Sequence, residues 1–250
     1  MHTPGLKIGL FGIGLNAYWE QFEGVKERLD AHVDVVYEKL KALCPQTLNL
    51  GLIDTTEKAF EAGREFRRND VDILFLYVST YALSSTVLPV VQRAKVPVII
   101  LNLAPDKAID YSEFNKMPDI TKKTGEWLAY CSACTVPEIA NVFNRTGIKF
   151  HQVTGMLHDD EICWTEVAEW IEAAKVANIM KPSVIVFSNH IGLDPSNIPQ
   201  ETFCFVHAIN YPAAGKYRKE FFDVVLPSFP EYMFKSRCPI LAAGFVAVYL

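Results

Sequence analysis

Short apolar runs alternate with amphipathic segments along the first hundred residues of the chain. The runs lie at Ile8–Gly12, Leu48–Ile53, Val71–Val78 and Val96–Leu101. Each has the length of a buried strand, and the residues between them repeat apolar positions at the three- and four-residue spacing of helices. Strands that alternate with helices are typical of βαβ units. The pattern therefore predicts an α/β fold with a mostly parallel sheet and helices on both faces.

The segments between these runs carry the signals that begin and end helices. We expect helices over Trp19–Leu43, 55–68 and Ser84–Ala94. Asp54 as N-cap and Glu57 three residues later are typical of a capping box, in which two side chains satisfy free backbone N–H groups. This places the beginning of the second helix directly after the second strand.

The pattern continues less regularly beyond residue 102. A polar segment over 102–125 precedes a helical pattern that begins at Glu126 and is interrupted near Cys134–Pro137. A fifth strand is expected at Ile148–Val153, followed by a helix that begins at the acidic residues 159–161 and extends to Met180. Residues 1–181 are therefore predicted to form one Rossmann-like domain with five or six strands.

Residues 182–250 differ in composition from the rest of the chain. They hold half of its prolines and half of its phenylalanines, but only five of its acidic residues. A sixth strand at Ser183–Phe187 is the last regular element that the pattern indicates. We therefore expect 182–250 to be a partial, divergent or out-of-frame C-terminal segment without a regular structure of its own.

Polar and aromatic residues follow the apolar runs at the point where each strand ends. Right-handed crossovers place the carboxyl ends of parallel strands at one edge of the sheet, where ligands of such folds bind. That edge is predicted to collect Gly12–Trp19, Asp54, residues 79–81 and Asn102. Any binding site of this domain is expected there.

The segment from Gly12 to Ala17 satisfies the dinucleotide-binding pattern G-x-G-x-x-G/A after a strand and before a helix. The acid that usually ends the second strand, about 20 residues further on, is missing. In this chain Asp54 stands 37 residues after Ala17. Tyr18 and Trp19 also crowd the turn where phosphates would lie. A tight turn that needs glycine is therefore the preferred interpretation.

Two further motifs are better explained by structure than by chemistry. Cys131 and Cys134 have the C-x-x-C spacing of redox helices, but they come late in the domain and lack a second pair for zinc, so buried thiols are favoured. None of the six histidines has a metal-binding partner at helical spacing. His158 precedes acidic residues that are typical of a helix start, and no phosphate-loop or G-x-S-x-G motif occurs.

Composition and net charge indicate which classes of binding partner are not expected. The 250 residues carry a net charge of −5, which gives no reason to expect nucleic acid or an anionic membrane surface. The apolar runs are too short to cross a membrane. Because the first strand begins soon after Met1, no signal peptide is expected, and the six cysteines should then be reduced. A cytoplasmic location is the resulting prediction.

The order of these features resembles the N-terminal region of the L-arabinose isomerase and L-fucose isomerase-like sugar isomerases. The resemblance covers about Lys7–Met180. It rests on the first strand with its exit, Gly12–Phe22, and on Asp72–Tyr81 and Val96–Leu103. Val153-Thr154-Gly155, followed by a polar segment that opens a helix, completes the match.

The resemblance implies a small-molecule sugar as ligand and aldose–ketose isomerisation as reaction, with a divalent metal, typically manganese, acting as Lewis acid. Enzymes of the family are considerably longer and carry their metal-binding glutamates and histidines in further domains. Their N-terminal domain contributes strand-end residues to the sugar pocket of a neighbouring subunit, which implies a homo-oligomer. The matching substrate-binding positions in this chain are Asn16, Tyr18, Trp19, Thr80, Tyr81 and Asn102.

This chain has no cluster that supplies two Glu and two His ligands, so we expect no metal or other cofactor within it and assign no catalytic residue. The main hypothesis is the N-terminal portion of a sugar isomerase that lacks the catalytic machinery. The first alternative is a non-catalytic sugar-binding or assembly domain that associates through its helices with a complementary chain. A dinucleotide-dependent oxidoreductase is the second alternative.

Overall fold

A central sheet of five parallel strands carries the fold, as seen in a computed structural model that describes residues 5–180, 186–187 and 206–207. The strands are β1 (Ile8–Ile13), β2 (Thr47–Ile53), β3 (Ile73–Tyr77), β4 (Val98–Ala104) and β5 (Phe150–Met156). The helices are α1 (Val25–Leu43), α2 (Thr56–Arg68), α3 (Ser84–Ala94), α4 (Tyr111–Lys116), α5 (Ile120–Tyr130), α6 (Thr135–Thr146) and α7 (Glu161–Met180). The predicted α/β fold with a parallel sheet is confirmed.

The strands lie in the order β2-β1-β3-β4-β5, so the chain leaves β1 in one direction and returns to β3 on the other side. Two apolar layers cover the sheet. On one face α1 and α7 pack through residues such as Val33 and Val167. On the other face α2, α3 and α6 pack through residues such as Phe66, Val90 and Phe143. Helices on both faces make this a doubly wound sheet.

The first helix begins later than predicted. The sequence pattern placed its start at Trp19, whereas α1 begins at Val25 after a single 3₁₀ turn over Asn16–Tyr18. Gly24, the N-cap, has a φ of 80°, a left-handed conformation that glycine adopts without strain and that a continuous helix excludes. Phe22 still packs against the core although it lies outside the helix, and this is why the apolar spacing appeared unbroken.

The capping box predicted at Asp54 and Glu57 is wrong. The N-cap of α2 is Thr55, whose side-chain oxygen accepts a hydrogen bond from Lys58 N at 3.2 Å. Asp54 is left free for contacts with the segment after β1. The interruption predicted near Cys134–Pro137 lies slightly earlier, between the end of α5 at Tyr130 and the beginning of α6 at Thr135.

The chain divides into two units, residues 1–178 and residues 179–250. In the second unit the structure describes Val186–Phe187, which pairs antiparallel with Val206–His207. The strand expected at Ser183–Phe187 is therefore described only in its last two residues. The rest of the segment 182–250, with its expected irregular character, lies outside the described residues, and the domain boundary at 181/182 stays a prediction.

No helix in the described part of the chain is both long and apolar enough to cross a membrane.

Asp160 holds the beginning of α7 to the end of β5. Its carboxylate accepts the backbone N–H groups of Cys163 and Met156, each at 3.0 Å, and these bonds hold the pKa of Asp160 below its ordinary value. A lowered folded-state pKa means that the stabilisation is present above about pH 4 and is lost as the pH falls through the lowered pKa.

We expect Asp160→Ala to lower the melting temperature by a few degrees at pH 7, because it removes a helix cap. The difference from the wild type should shrink as the pH falls below about 4, because the wild-type carboxyl group becomes protonated as the pH approaches its lowered pKa. Thermal unfolding followed by circular dichroism between pH 3 and 7 measures this. A difference that stays constant with pH would contradict the ionised cap.

Candidate functional site

The carboxyl ends of β1 and β3 form the topological switch point of the sheet, because connections leave these two neighbouring strands in opposite directions. Ligands of doubly wound folds bind in the crevice at such a point. The segments that flank it are residues 14–24 after β1 and 78–83 after β3. We call these two segments the switch-point rim.

The segment after β1 is fixed to the end of β2 by backbone hydrogen bonds. Gly14 N donates to Ile53 O at 3.1 Å, and Asn16 N donates to Asp54 O at 3.2 Å. These bonds position the 3₁₀ turn over Asn16–Tyr18, in which the side chain of Asn16 is exposed. The turn therefore holds an amide side chain at the rim on a fixed backbone.

Trp19 is held by a buried carboxylate. Its indole Nε1 donates to Asp54 Oδ2 at 2.7 Å, and only 2% of Asp54 is exposed. Lys58 Nζ lies 2.7 Å from the other oxygen, Oδ1, as an ion pair without hydrogen-bond alignment. Asp54 thus ties the segment after β1 to the beginning of α2.

The glycines of the Gly12–Ala17 segment leave space in which neighbouring side chains pack. Gly12 lies inside β1, and a Cβ placed on it would come within 2.5 Å of Val33 Cγ2 on α1. A Cβ on Gly14 would lie 2.8 Å from the indole of Trp19, which occupies the space beside this turn. The next helix begins only at Val25, so no helix N-terminus follows the glycines directly. To bind a diphosphate, the motif requires free space beside the glycine turn and a helix N-terminus directly after it.

Tyr18 and Tyr81 lie on the two sides of the switch point, one after β1 and the other after β3. Both side chains are partly exposed. Burial, then the neighbouring Tyr81 and Cys131, raise the pKa of Tyr18 above its ordinary value. The Tyr18 ring is held edge-on by Trp19 and Phe22, with centroid distances of 6.3 and 5.9 Å. The phenol therefore stays protonated well into the alkaline range and can donate a hydrogen bond.

The residues before Tyr81 are buried and act as supports. Ser79 donates from its hydroxyl to Ile13 O, which joins the ends of β3 and β1. Thr80 is fully buried, and its hydroxyl donates to Leu128 O on α5 at 2.8 Å. The predicted site residue Thr80 therefore holds Tyr81 in place, and its hydroxyl is directed to the protein interior.

Asn102 lies within β4, two residues before its end, and not after the strand as the sequence pattern indicated. Its register partner is Thr154 on β5, and its Nδ2 donates to Thr154 Oγ1 at 3.4 Å. The amide is thus engaged on the side of β4 that faces away from β3. Tyr18 packs against Trp19, and Asn16 lies in the same turn. Tyr81 is near enough to raise the pKa of Tyr18, whereas Asn102 is paired towards β5.

Sequence reasoning missed a polar group that α1 and α5 add beside the rim. Arg28 Nη1 binds Glu126 Oε2 at 2.7 Å, and the guanidinium lies 5.3 Å from the ring centre of Tyr130. His32, one turn further along α1, has a pKa lowered first by burial and then by Arg28. These residues lie in amphipathic helices, where the spacing predicts only exposed faces, so no local signal marked them.

The arrangement suits a polar, uncharged ligand. It offers two aromatic faces, an exposed amide and hydroxyl donors, which can stack on the CH groups of a polyol and bind its hydroxyls. Among the described residues, no group of three or more His, Cys, Asp or Glu side chains could hold a metal ion.

The fold and the rim define a doubly wound α/β domain with a switch-point site. Beyond that class the comparisons with known proteins give no assignment: no family model matches the chain, and no curated protein matches it either.

Proposed function

We propose that this chain binds a sugar at the switch-point rim and is the N-terminal portion of a protein that resembles the aldose–ketose sugar isomerases. The observation that carries the proposal is the position of Tyr18 and Tyr81 on the two sides of the switch point, near enough for Tyr81 to raise the pKa of Tyr18. The turn that would serve a dinucleotide is filled by Trp19, which favours a sugar over a nucleotide ligand.

The residues of the rim divide into ligand contacts and supports. Tyr18 and Tyr81 would stack on the sugar, and the exposed Asn16 would bind a hydroxyl group. Trp19, fixed by Asp54, would hold the Tyr18 ring, and Thr80 would hold Tyr81. Asn102 would contact only a ligand that extends as far as β4.

Isomerisation is proposed for the complete assembly, not for the described residues alone. When bound, the family's manganese supplies Lewis-acid polarisation of the two sugar oxygens. This chain would bind and orient the sugar. It would form one wall of a pocket that another subunit completes. A homo-oligomer and a cytoplasmic location belong to the same proposal and await separate measurement.

Sugar binding is tested by calorimetric titration of the full chain with L-arabinose, L-fucose and further pentoses and hexoses. We expect binding that is the same with manganese and with a chelator. Tyr81→Ala and Tyr18→Ala should each weaken it about tenfold or more, which corresponds to about 1.4 kcal/mol of lost stacking and hydrogen bonding.

Tyr111→Ala is the matched control, because Tyr111 is 63% exposed on α4 and lies outside the rim. It should leave the affinity unchanged. Binding that depends on manganese, or equal affinities for all three variants, would overturn the proposed site. Quenching of tryptophan fluorescence by NADH or NADPH would instead support the oxidoreductase alternative.

A further inference from the structure

Two cysteines bracket the turn between α5 and α6, and the proposed sugar site does not use their thiols. Cys131 is buried, with 6% of the residue exposed, whereas Cys134 is exposed at the N-cap of α6. Cys134 is near enough to Cys131 to raise its pKa, after the larger effect of burial. Cys134 is therefore accessible to reagents from solvent, whereas Cys131 is shielded from them.

Only two residues and a tight turn separate Cys131 from Cys134. Thr135 N donates to Ser132 O and Val136 N donates to Ala133 O, each at 3.3 Å, so the chain is already turning into α6 at Cys134. Cys131 itself is not helical, with φ −82° and ψ 59°. A disulfide needs Cβ atoms about 4 Å apart, so its closure includes a shift of the backbone of this short turn.

The two thiols differ in reactivity. Cys134 is exposed to solvent at the N-cap of α6, whereas Cys131 is buried. Burial, and then the neighbouring Cys134, raise the pKa of the Cys131 thiol to about 12. Cys134 is therefore the thiol that reacts first with a reagent from solution, and Cys131 can react only afterwards.

We propose that Cys131 and Cys134 form a reversible dithiol–disulfide pair that exchanges with small organic disulfides. The Cys134 thiolate attacks one sulfur of the small disulfide, whose S–S bond breaks and releases one thiol. Cys131 then loses its proton and attacks Cys134 Sγ, which forms the protein disulfide and releases the second thiol. Two cysteine thiols are oxidised by two electrons, the small disulfide is reduced, and both protons leave on the released thiols.

The pair is tied to the sugar rim through hydrogen bonds on both sides of the turn. Thr80 binds Leu128 O before the turn, and Ala82 N donates to Thr135 Oγ1 at 3.2 Å after it. Tyr81 lies between these two anchors, and Cys131 is a neighbour of Tyr18. Oxidation of the pair therefore acts on the backbone segments that anchor Thr80 and Ala82 on either side of Tyr81.

The experiment treats the reduced full chain with glutathione disulfide, alkylates the remaining thiols and maps the cysteines by mass spectrometry. Both cysteines lie in one tryptic peptide, residues 124–145, which separates them from the other four. We expect this peptide to lose two hydrogens, to retain no glutathione and to return to the dithiol with dithiothreitol. Cys131→Ser should trap glutathione on Cys134, while Cys134→Ser should leave Cys131 reduced.

Cys163→Ser is the matched control, since Cys163 is buried and away from the turn, and it should form the pair as the wild type does. Alkylation of Cys134 in the Cys131→Ser variant should be at least about tenfold faster than alkylation of Cys131 in the Cys134→Ser variant. A wild-type peptide that keeps glutathione, or keeps both thiols free, would overturn the proposal. Because these outcomes are read on the wild-type chain, they do not depend on sugar binding or on the folding of a variant.

Discussion

Gly12→Val is expected to lower the free energy of unfolding by about 3 kcal/mol or more, the upper range for an overpacked core. Gly12 is central in the sheet, paired with Leu52 on β2 and with Tyr77 on β3. A Cβ at this position would come within 2.5 Å of Val33 Cγ2 and 2.9 Å of Leu52 Cδ2, so α1 or β2 must move to admit it. Urea denaturation followed by circular dichroism measures the loss.

Gly12→Ala tests the same contact with a variant that is more certain to fold, and we expect a loss of about 1–3 kcal/mol. Gly5→Ala is its matched control. A Cβ on Gly5 would meet only the end of the flexible Gln46 side chain, at 2.9 Å, and Gln46 can move into solvent. This control should change the free energy of unfolding by less than about 0.5 kcal/mol. Equal effects of the two alanine variants would show that α1 does not pack as closely on β1 as described.

Gly12 shows why a sequence can match a short motif without having the binding function of that motif. The pattern G-x-G-x-x-G/A requires only small residues between a strand and a helix, and close helix packing on a strand requires a small residue as well. The sequence separates the two explanations through Tyr18 and Trp19, which are too large for a phosphate-binding turn. The structure adds that Trp19 itself covers Gly14.

Much of the fold could be predicted because buried strands and amphipathic helices leave separate periodicities. The limits of α3, Ser84–Ala94, match the prediction at both ends. The beginning of α1 could not be predicted from periodicity, since Phe22 packs on the core from a turn at a position that also suits a helix. The left-handed conformation of Gly24 separates the turn from the helix, but a glycine in the sequence does not show which φ it adopts.

The location of the candidate site could be predicted, but its contacts could not. Parallel strands end at one edge whatever their order, so Tyr18 and Tyr81 were expected to be near each other. The pairing of Asn102 with Thr154 depends on the strand order, which places β5 next to β4. The effect of Cys131 on the pKa of Tyr18 depends on how α5 packs, and no periodicity reports that packing.

Asp54→Ala is expected to lower the free energy of unfolding by about 1.5–3 kcal/mol, the range for hydrogen bonds to a charged group. The variant leaves the Trp19 indole N–H without its acceptor and removes the carboxylate that faces Lys58. Lys58 is more than half exposed, so solvent can replace its partner, and most of the loss should come from Trp19. Urea denaturation measures the stability, and tryptophan fluorescence reports the release of the indole.

The same variant separates a structural role of Asp54 from its effect on the rim. Asp54→Asn keeps an acceptor for the indole and should recover at least half of the lost stability. Asp30→Ala removes one side of a partly exposed ion pair and should cost less than about 0.5 kcal/mol. Because Trp19 supports the Tyr18 ring, Asp54→Ala should also weaken sugar binding, and Asp54→Asn should restore it. If Asp54→Ala lost no more stability than Asp30→Ala, Trp19 would not be anchored by Asp54. The rigid support that the structure gives to Tyr18 would then be absent.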